Sequence, residues 1–337
     1  MPLRIIANRK RKCVMSCLIS IIIPCFNSGR FLQKTIDMIE NEDIGDCEIV
    51  LIDDGSDDDT LSIIEENSRR YGNIRYISRE NRGVAASRNE GLLAAQGHYV
   101  YFLDSDDEIT KGTLLHYKNR INKFFGFDLI AFGYKMIRNN GNEHLYVNHK
   151  LNGLVLKNQE FADLIFRSLL FMHICSVLFH RDFLIRNKFF FKEGIRIGED
   201  FDFLQDVSLC SKRVYYDERI CFIYKLRRGS ATDGHHRYNS DFYKALLLCF
   251  RKADSAKGIL EEQTINCFLA TRYSAHLRLY LQSRYKSKEL NGFFLQNRSC
   301  LYKKMHRSRP IIMLVIYFFR VLPIGFILKT LKSTSPQ

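Results

Sequence analysis

The sequence predicts an α/β fold: a Rossmann-like, mostly parallel sheet with helices on both faces, followed by a helical C-terminal extension. Three observations point there. Short β-branched apolar runs alternate with helix-like stretches between residues 18 and 104, as expected of parallel strands buried on both sides. Each run ends in a polar cluster. From about Tyr238 the pattern turns helical and basic.

Residues 18–24 (LISIIIP) read as a buried strand, and residues 28–41 as a helix with Ser28 at its start. Residues 47–56 give a second strand ending in acids and a turn. Residues 59–72 give a helix closed by Gly72, and residues 74–80 a third strand. Residues 84–97 form an alanine-rich helix closed by Gly97, and residues 99–104 a fourth strand. The second half is less regular. Residues 127–137 read as a strand, 158–171 as a helix, and 175–191 as a strand running into a helix. Residues 198–211 read as a helix with acids in its first turn, and 214–232 as paired strands.

A chain of 337 residues, 46% hydrophobic and 26% charged, has room for one large domain or two smaller ones. Its net charge of +14 suits an acidic partner such as a phosphorylated ligand, an anionic membrane or nucleic acid. No nucleic-acid-binding module is present, so nucleic acid is not an expected partner. The ten cysteines are scattered, with no C-x-x-C pair, and read as buried thiols of a reducing cytoplasm. Residues 1–16 form a basic lead without a signal-peptide core. They read as a disordered arm or as sequence ahead of a true start at Met15. Residues 310–330 are strongly apolar, but Arg320, Pro323 and Gly325 interrupt them. Basic residues on both sides suit an anionic membrane surface. A spanning helix and a docked core helix are the alternatives.

In parallel α/β sheets, ligands bind beyond the carboxyl ends of the strands. The polar clusters all fall there: residues 24–27 (PCFN), 53–56 (DDGS), 81–83 (NRG) and 104–107 (DSDD). Asp104, Asp106 and Asp107 put three carboxylates in four positions. One would suffice to cap the next helix; three fit a hard divalent cation, which takes oxygen ligands and cancels their repulsion. Asp53 and Asp54 can accept hydrogen bonds from a base N–H or ribose hydroxyls, with Gly55 supplying a turn of positive φ. The plain alternative is an ordinary Asp-Gly turn. Two other enzyme classes on similar sheets lack their marks. No G-x-G-x-x-G follows the first strand, as a dinucleotide oxidoreductase needs. Nor does the Gly-rich, basic loop of a sugar-phosphate nucleotidyltransferase.

Together SIIIPCFNSGRFLQKTI, IVLIDDGSDDDT, ENRGVAASRNEGLLAAQGHYVYFLDSDD and the later GEDFDF resemble the family-2 glycosyltransferases, inverting enzymes of GT-A fold. The likeness is close over residues 19–107 and scattered from 127 to 232. It implies that residues 17–125 bind a nucleotide sugar and that residues 126–237 form the acceptor side. It places Pro24, Asn27, Asp53, Asp54, Arg88 and Asp104 around the nucleotide, and Arg228 and Ser230 near the diphosphate. Asp104-Ser105-Asp106 matches the D-x-D motif, so Asp106 and Asp104 are the expected ligands of Mg²⁺ or Mn²⁺. The Glu199-Asp200 pair matches the acceptor-side acids, with Asp200 the expected base and Glu199 its reserve. A uridine diphosphate sugar is the implied donor. The implied acceptor is a glycan or lipid-linked oligosaccharide of capsule, O-antigen or exopolysaccharide assembly, met at the inner face of the membrane. The chain has no tryptophan and no Q-x-x-R-W, so a processive synthase is not expected. A catalytically degenerate scaffold is the alternative, though none of its acids is missing.

Overall fold

The computed structural model describes residues 18–42, 44–226, 238–283, 285 and 287–302. The basic lead, the stretch holding Arg228 and Ser230, and the apolar segment at 310–330 lie outside them. Two compact units result, residues 18–161 with 171–226, and residues 162–170 with 238–302.

The first unit begins with strands β1 (Ile19–Cys25), β2 (Cys47–Asp53), β3 (Ile74–Ser78) and β4 (Tyr99–Phe102), joined by helices α1 (Gly29–Glu40), α2 (Thr60–Arg70) and α3 (Val84–Ala94). Then come β5 (Glu108–Ile109), α4 (Thr113–Lys123), β6 (Leu129–Ile137), β7 (Glu143–Tyr146), β8 (Val155–Lys157) and the start of α5 (Asn158–Phe166), whose residues from 162 on belong to the second unit. Strand β9 (Val177–His180), α6 (Arg181–Arg186), α7 (Glu199–Cys210) and β10 (Arg213–Lys225) follow. The sheet order is β3-β2-β1-β4-β9-β6-β10-β5, with β7 on β6 and β8 on β10. Strands β3, β2, β1 and β4 run parallel, as do β6 and β10; β9 is antiparallel to both β4 and β6. The sheet is therefore mixed beyond β4.

Strand β2 is buried at every residue, and β1 at all but Pro24, which is why they read as unbroken apolar runs. Their registers align Cys25 with Asp53 and Asp53 with Ser78, so three polar loops leave one sheet edge together.

Local details depart from the sequence reading. Helix α3 ends at Ala94, not at Gly97. Gly97 lies against β1, where a Cβ would sit 2.6 Å from the Ser20 amide nitrogen. Helix α2 is left through an extended Tyr71, ahead of Gly72. Ser28 stands at the start of α1 but makes no side-chain cap; its hydroxyl is 2.7 Å from that of Ser105. Nor does Asp107 cap α4. Glu42 does so, accepting from the Gly112 and Leu114 amides at 2.7 and 3.1 Å. Of the pair of strands expected at 214–232, the described part is one bulged strand, β10, and residues 227–232 lie outside the described residues. The charged Asp217-Glu218-Arg219 looks like a turn. Its Asp217 is instead held by the Arg120 guanidinium at 2.6 Å and by His116 at 2.9 Å, so the chain continues past it.

The second unit contains α8 (Ser240–Ser255), α9 (Glu262–Gln282) and α10 (Lys288–Gln296). Asn239 caps α8 and Ser287 caps α10. Phe166 packs on Phe268 with ring centroids 4.9 Å apart. Among the described residues no helix is long and apolar enough to cross a membrane.

Glu42→Ala should leave two amides of α4 without their acceptor. The expected loss is about 1–2 kcal/mol of stability in urea unfolding, with Glu42→Gln retaining part of it.

Candidate active site

The DDGS turn is wired into its neighbours. Asp53 is buried, accepting from the Ser56 amide at 3.1 Å and the Ser78 hydroxyl at 2.7 Å. Asp54 accepts from the amides of Arg82 and Gly83 at 2.9 and 2.8 Å, and from the Arg79 guanidinium. Both oxygens of Asp54 thus pin the loop after β3 to the end of β2. Arg79 also donates to Glu90 and, at 3.0 Å, to Ser87 on α3. Gly55 has φ +75°, and a Cβ there would lie 2.8 Å from the Asn81 amide nitrogen, so the turn requires glycine. Asn27, at φ +49°, accepts from the Asp57 amide at 3.0 Å. Pro24 is the one half-buried residue of β1, just before its last residue, Cys25. Pro24, Asn27, Asp53 and Asp54 therefore share one edge of the sheet.

The D-x-D segment leaves β4 on the same edge. Its middle residue is the anchor: the Ser105 hydroxyl meets Ser28, and its carbonyl accepts from the Thr35 hydroxyl at 2.8 Å. Asp106 faces a pocket with Phe31, Lys34, Glu108 and Lys225. Asp107 is buried and accepts from the Lys225 amide at 3.4 Å. The carboxylates of Asp104 and Asp107 and the Cys175 thiol lie within 4.8 Å of one another. Burial, then the charges of Asp104 and Asp107, push the Cys175 thiol well up, so it remains protonated and is a poor ligand. The carboxylates are hard oxygen donors, and Asp104 is 29% exposed. Those two carboxylates suit a hard divalent cation such as Mg²⁺ or Mn²⁺.

Arg88 joins this segment to the second half of the unit. Only 3% of its side chain is exposed. Its guanidinium donates to Asp104 at 2.9 Å and reaches Glu199 at 3.5 Å, and its Cζ lies 5.3 Å from the Phe191 ring centroid. Burial disfavours its charge, but Asp104 and then Asp200 outweigh burial and keep it cationic. Glu199 and Asp200 open α7, where the helix dipole favours negative charge. Their environments drive them apart. Burial and then the Asp200 charge push Glu199 up to about 8. Burial opposes ionisation of Asp200 too, but Arg88 and then His173 prevail and hold it below the usual range. At neutral pH the pair is one carboxylate, Asp200, and one carboxylic acid, Glu199.

Three contributors escaped the sequence reading. Arg79, at the end of the third predicted strand, carried no role there. Asn89 exchanges two hydrogen bonds with the Phe191 backbone, at 2.7 and 2.8 Å, and so holds the segment leading to α7. Its place beside Arg88 in SRN was the available signal. His173 accepts from the Cys175 amide at Nδ1, 3.2 Å away, which leaves the ring proton on Nε2. Asp202, the next acid along, is instead paired with Lys192 at 2.9 Å, and Arg82 forms an exposed pair with Glu193.

Sheet order, D-x-D segment and acid pair define a GT-A glycosyltransferase fold. Residues 20–186 match the profile of Glycosyl transferase family 2, and the chain belongs to that family. EpsJ, an uncharacterized glycosyltransferase of Bacillus subtilis (strain 168), is 27% identical over 64% of this chain and 63% of its own length. The minor teichoic acid biosynthesis protein GgaB of the same organism is 28% identical over 74% of this chain and 28% of its own. The chain thus spans less than two thirds of either relative. Residues 1–349 of S. aureus TarS, crystallised with UDP-GlcNAc, share the fold at TM-score 0.65 and 19% identity. The match covers 94% of this chain and 91% of that one.

The state of Glu199 sets a pH signature. Between 4.5 and about 8 the folded protein keeps a proton that the unfolded chain releases. Stability then falls with rising pH by at most about 1.4 kcal/mol per unit. Glu199→Gln fixes the neutral form. Its stability gain over wild type should grow across that window in urea titrations and level off above it.

Proposed function

We propose that this protein transfers one sugar from a uridine diphosphate donor to a hydroxyl of a glycan or lipid-linked acceptor, inverting the anomeric carbon, in cell-surface polymer synthesis. The observation that carries the reading is the buried Arg88, which binds an acid of the D-x-D segment and stands against the acid pair on α7. Donor-side and acceptor-side acids so joined suit a transfer between two substrates. Family membership supports the reaction class, GgaB the polymer class, and the UDP-GlcNAc bound by TarS the nucleoside.

Residues 17–125 hold the donor, with Pro24, Asn27 and Asp53 lining the nucleoside pocket. Asp54 acts mainly by shaping the loop at 79–83. Asp104 and Asp107, whose carboxylates lie within 4.8 Å of each other, would hold Mg²⁺ or Mn²⁺, with Asp106, which lines the pocket beside them, the further acid of the D-x-D motif. When bound, the ion neutralises charge on the departing diphosphate. Residues 126–237 form the acceptor side. There Asp200, kept ionised by Arg88, takes the proton from the attacking hydroxyl. Neutral Glu199 beside it avoids a second buried negative charge. The protein works at the cytoplasmic face of the membrane, where the apolar residues 310–330 and their basic flanks meet anionic lipid.

Purified protein with Mn²⁺ and a panel of UDP sugars should release UDP slowly from one donor. EDTA or Asp104→Asn should abolish that release. Asp200→Asn should cut sugar transfer by about 10²–10⁴-fold while UDP binding in calorimetry stays close to wild type. Absence of metal-dependent binding of every nucleotide sugar would defeat the proposal. Asn89→Ala frees the Phe191 segment that leads to the acid pair. It should lower kcat by about tenfold or more, since misplacing a catalytic group by a small distance has large kinetic effects, with little change in donor KM.

A further inference from the structure

We propose that the aromatic strip running outward from the acid pair along β6, β7 and β10 binds the acceptor as an extended oligosaccharide rather than a single sugar. The inference rests on the proposed function, because Asp200 defines where the acceptor hydroxyl must arrive.

The strip starts at His173. Of the charged groups acting on that ring, Asp200 is the strongest, and the short helical turn after it packs on α7. His173 stacks on Phe222 and Tyr224 of β10, with centroids 4.8 and 5.0 Å away. It lies 5.9 Å from Tyr134 on β6. Tyr134 in turn stacks on Tyr146 of β7 at 4.5 Å and an interplanar angle of 8°. Beyond Tyr146 lie His144 at 4.6 Å and Phe171 at 5.8 Å. Strand register explains the alignment: Tyr134 pairs with both Tyr146 and Phe222, so their side chains share one face.

Burial divides the strip into a floor and a surface. Phe222 and Tyr134 are buried at 0% and 7% exposure. His173, Tyr224 and Tyr146 are partly open, His144 is exposed, and Phe171 is 44% exposed. The row runs on from the acid pair and reaches solvent at Tyr146 and His144. The chemistry selects a glycan. A pyranose offers a flat C–H face to a ring while its hydroxyls stay hydrated or bond to ring edges. Apart from Phe171, every open ring here carries a hydroxyl or ring nitrogen. A lipid tail would call for an unbroken aliphatic groove. Buried Tyr134 links two open groups of rings, His173 with Tyr224 and Tyr146 with His144 and Phe171, so the row is longer than one sugar.

The chain contains no tryptophan, so Phe171→Trp creates a lone fluorescent reporter at the outer end of the strip. This variant is titrated with chitohexaose, maltohexaose, laminarihexaose and the corresponding monosaccharides, without donor or metal. At least one hexasaccharide should shift the emission, binding at least about tenfold more tightly than its monosaccharide. Adding His144→Ala or Tyr146→Ala should weaken that binding by about tenfold, with UDP binding and the circular dichroism spectrum retained. Equal response to monosaccharide and hexasaccharide, or none, overturns the proposal. So does an emission shift that follows protein concentration with dimerisation in light scattering, which would mark a face for a second copy. UDP binding measured on the same variants reports separately on the proposed function.

Discussion

A buried guanidinium is the constraint on which the rest of the site depends. Arginine does not lose its proton in a protein, so Arg88 must be surrounded by negative charge or leave the interior. Asp104 and Asp200 supply it from segments about a hundred residues apart in sequence. One cation cannot balance three carboxylates in so small a space. The site resolves this by keeping Glu199 protonated, which leaves Asp200 ionised.

The loops around that centre are fixed by side chains bonding to backbone. Asp54 binds two amides of the loop after β3, α1 grips Ser105 through Ser28 and Thr35, and Asn89 grips Phe191. Each joins segments that the sheet alone would leave independent. Strands deliver the polar residues to one edge; these bonds set their positions there.

Much of this was legible in the sequence. The four parallel strands were readable because burial on both faces leaves a continuous β-branched run. The clustering of Asp53, Asp104 and their neighbours followed from strand direction. Family likeness carried the acid pair, since no spacing rule brings Glu199 to Arg88. What stayed hidden was pairing. Arg79 and Asn89 are polar residues on or near a helix, and nothing in their local sequence says that one holds Asp54 and the other Phe191. Asp217 misled for the same reason, because its partners His116 and Arg120 lie on α4. The aromatic strip was invisible because it needs the register of three strands and a turn.

The β6–β7 hairpin is attached in another way. Strand β7 pairs with β6 alone, through backbone bonds, the Tyr134–Tyr146 stack and a surface ion pair between Lys135 and Glu143. The loops at the carboxyl ends of β1 to β4, by contrast, are tied down by hydrogen bonds between side chains and backbone. A change in β7 would therefore alter the row of rings while leaving those loop bonds intact, whereas a change at Asp54 would release a loop directly.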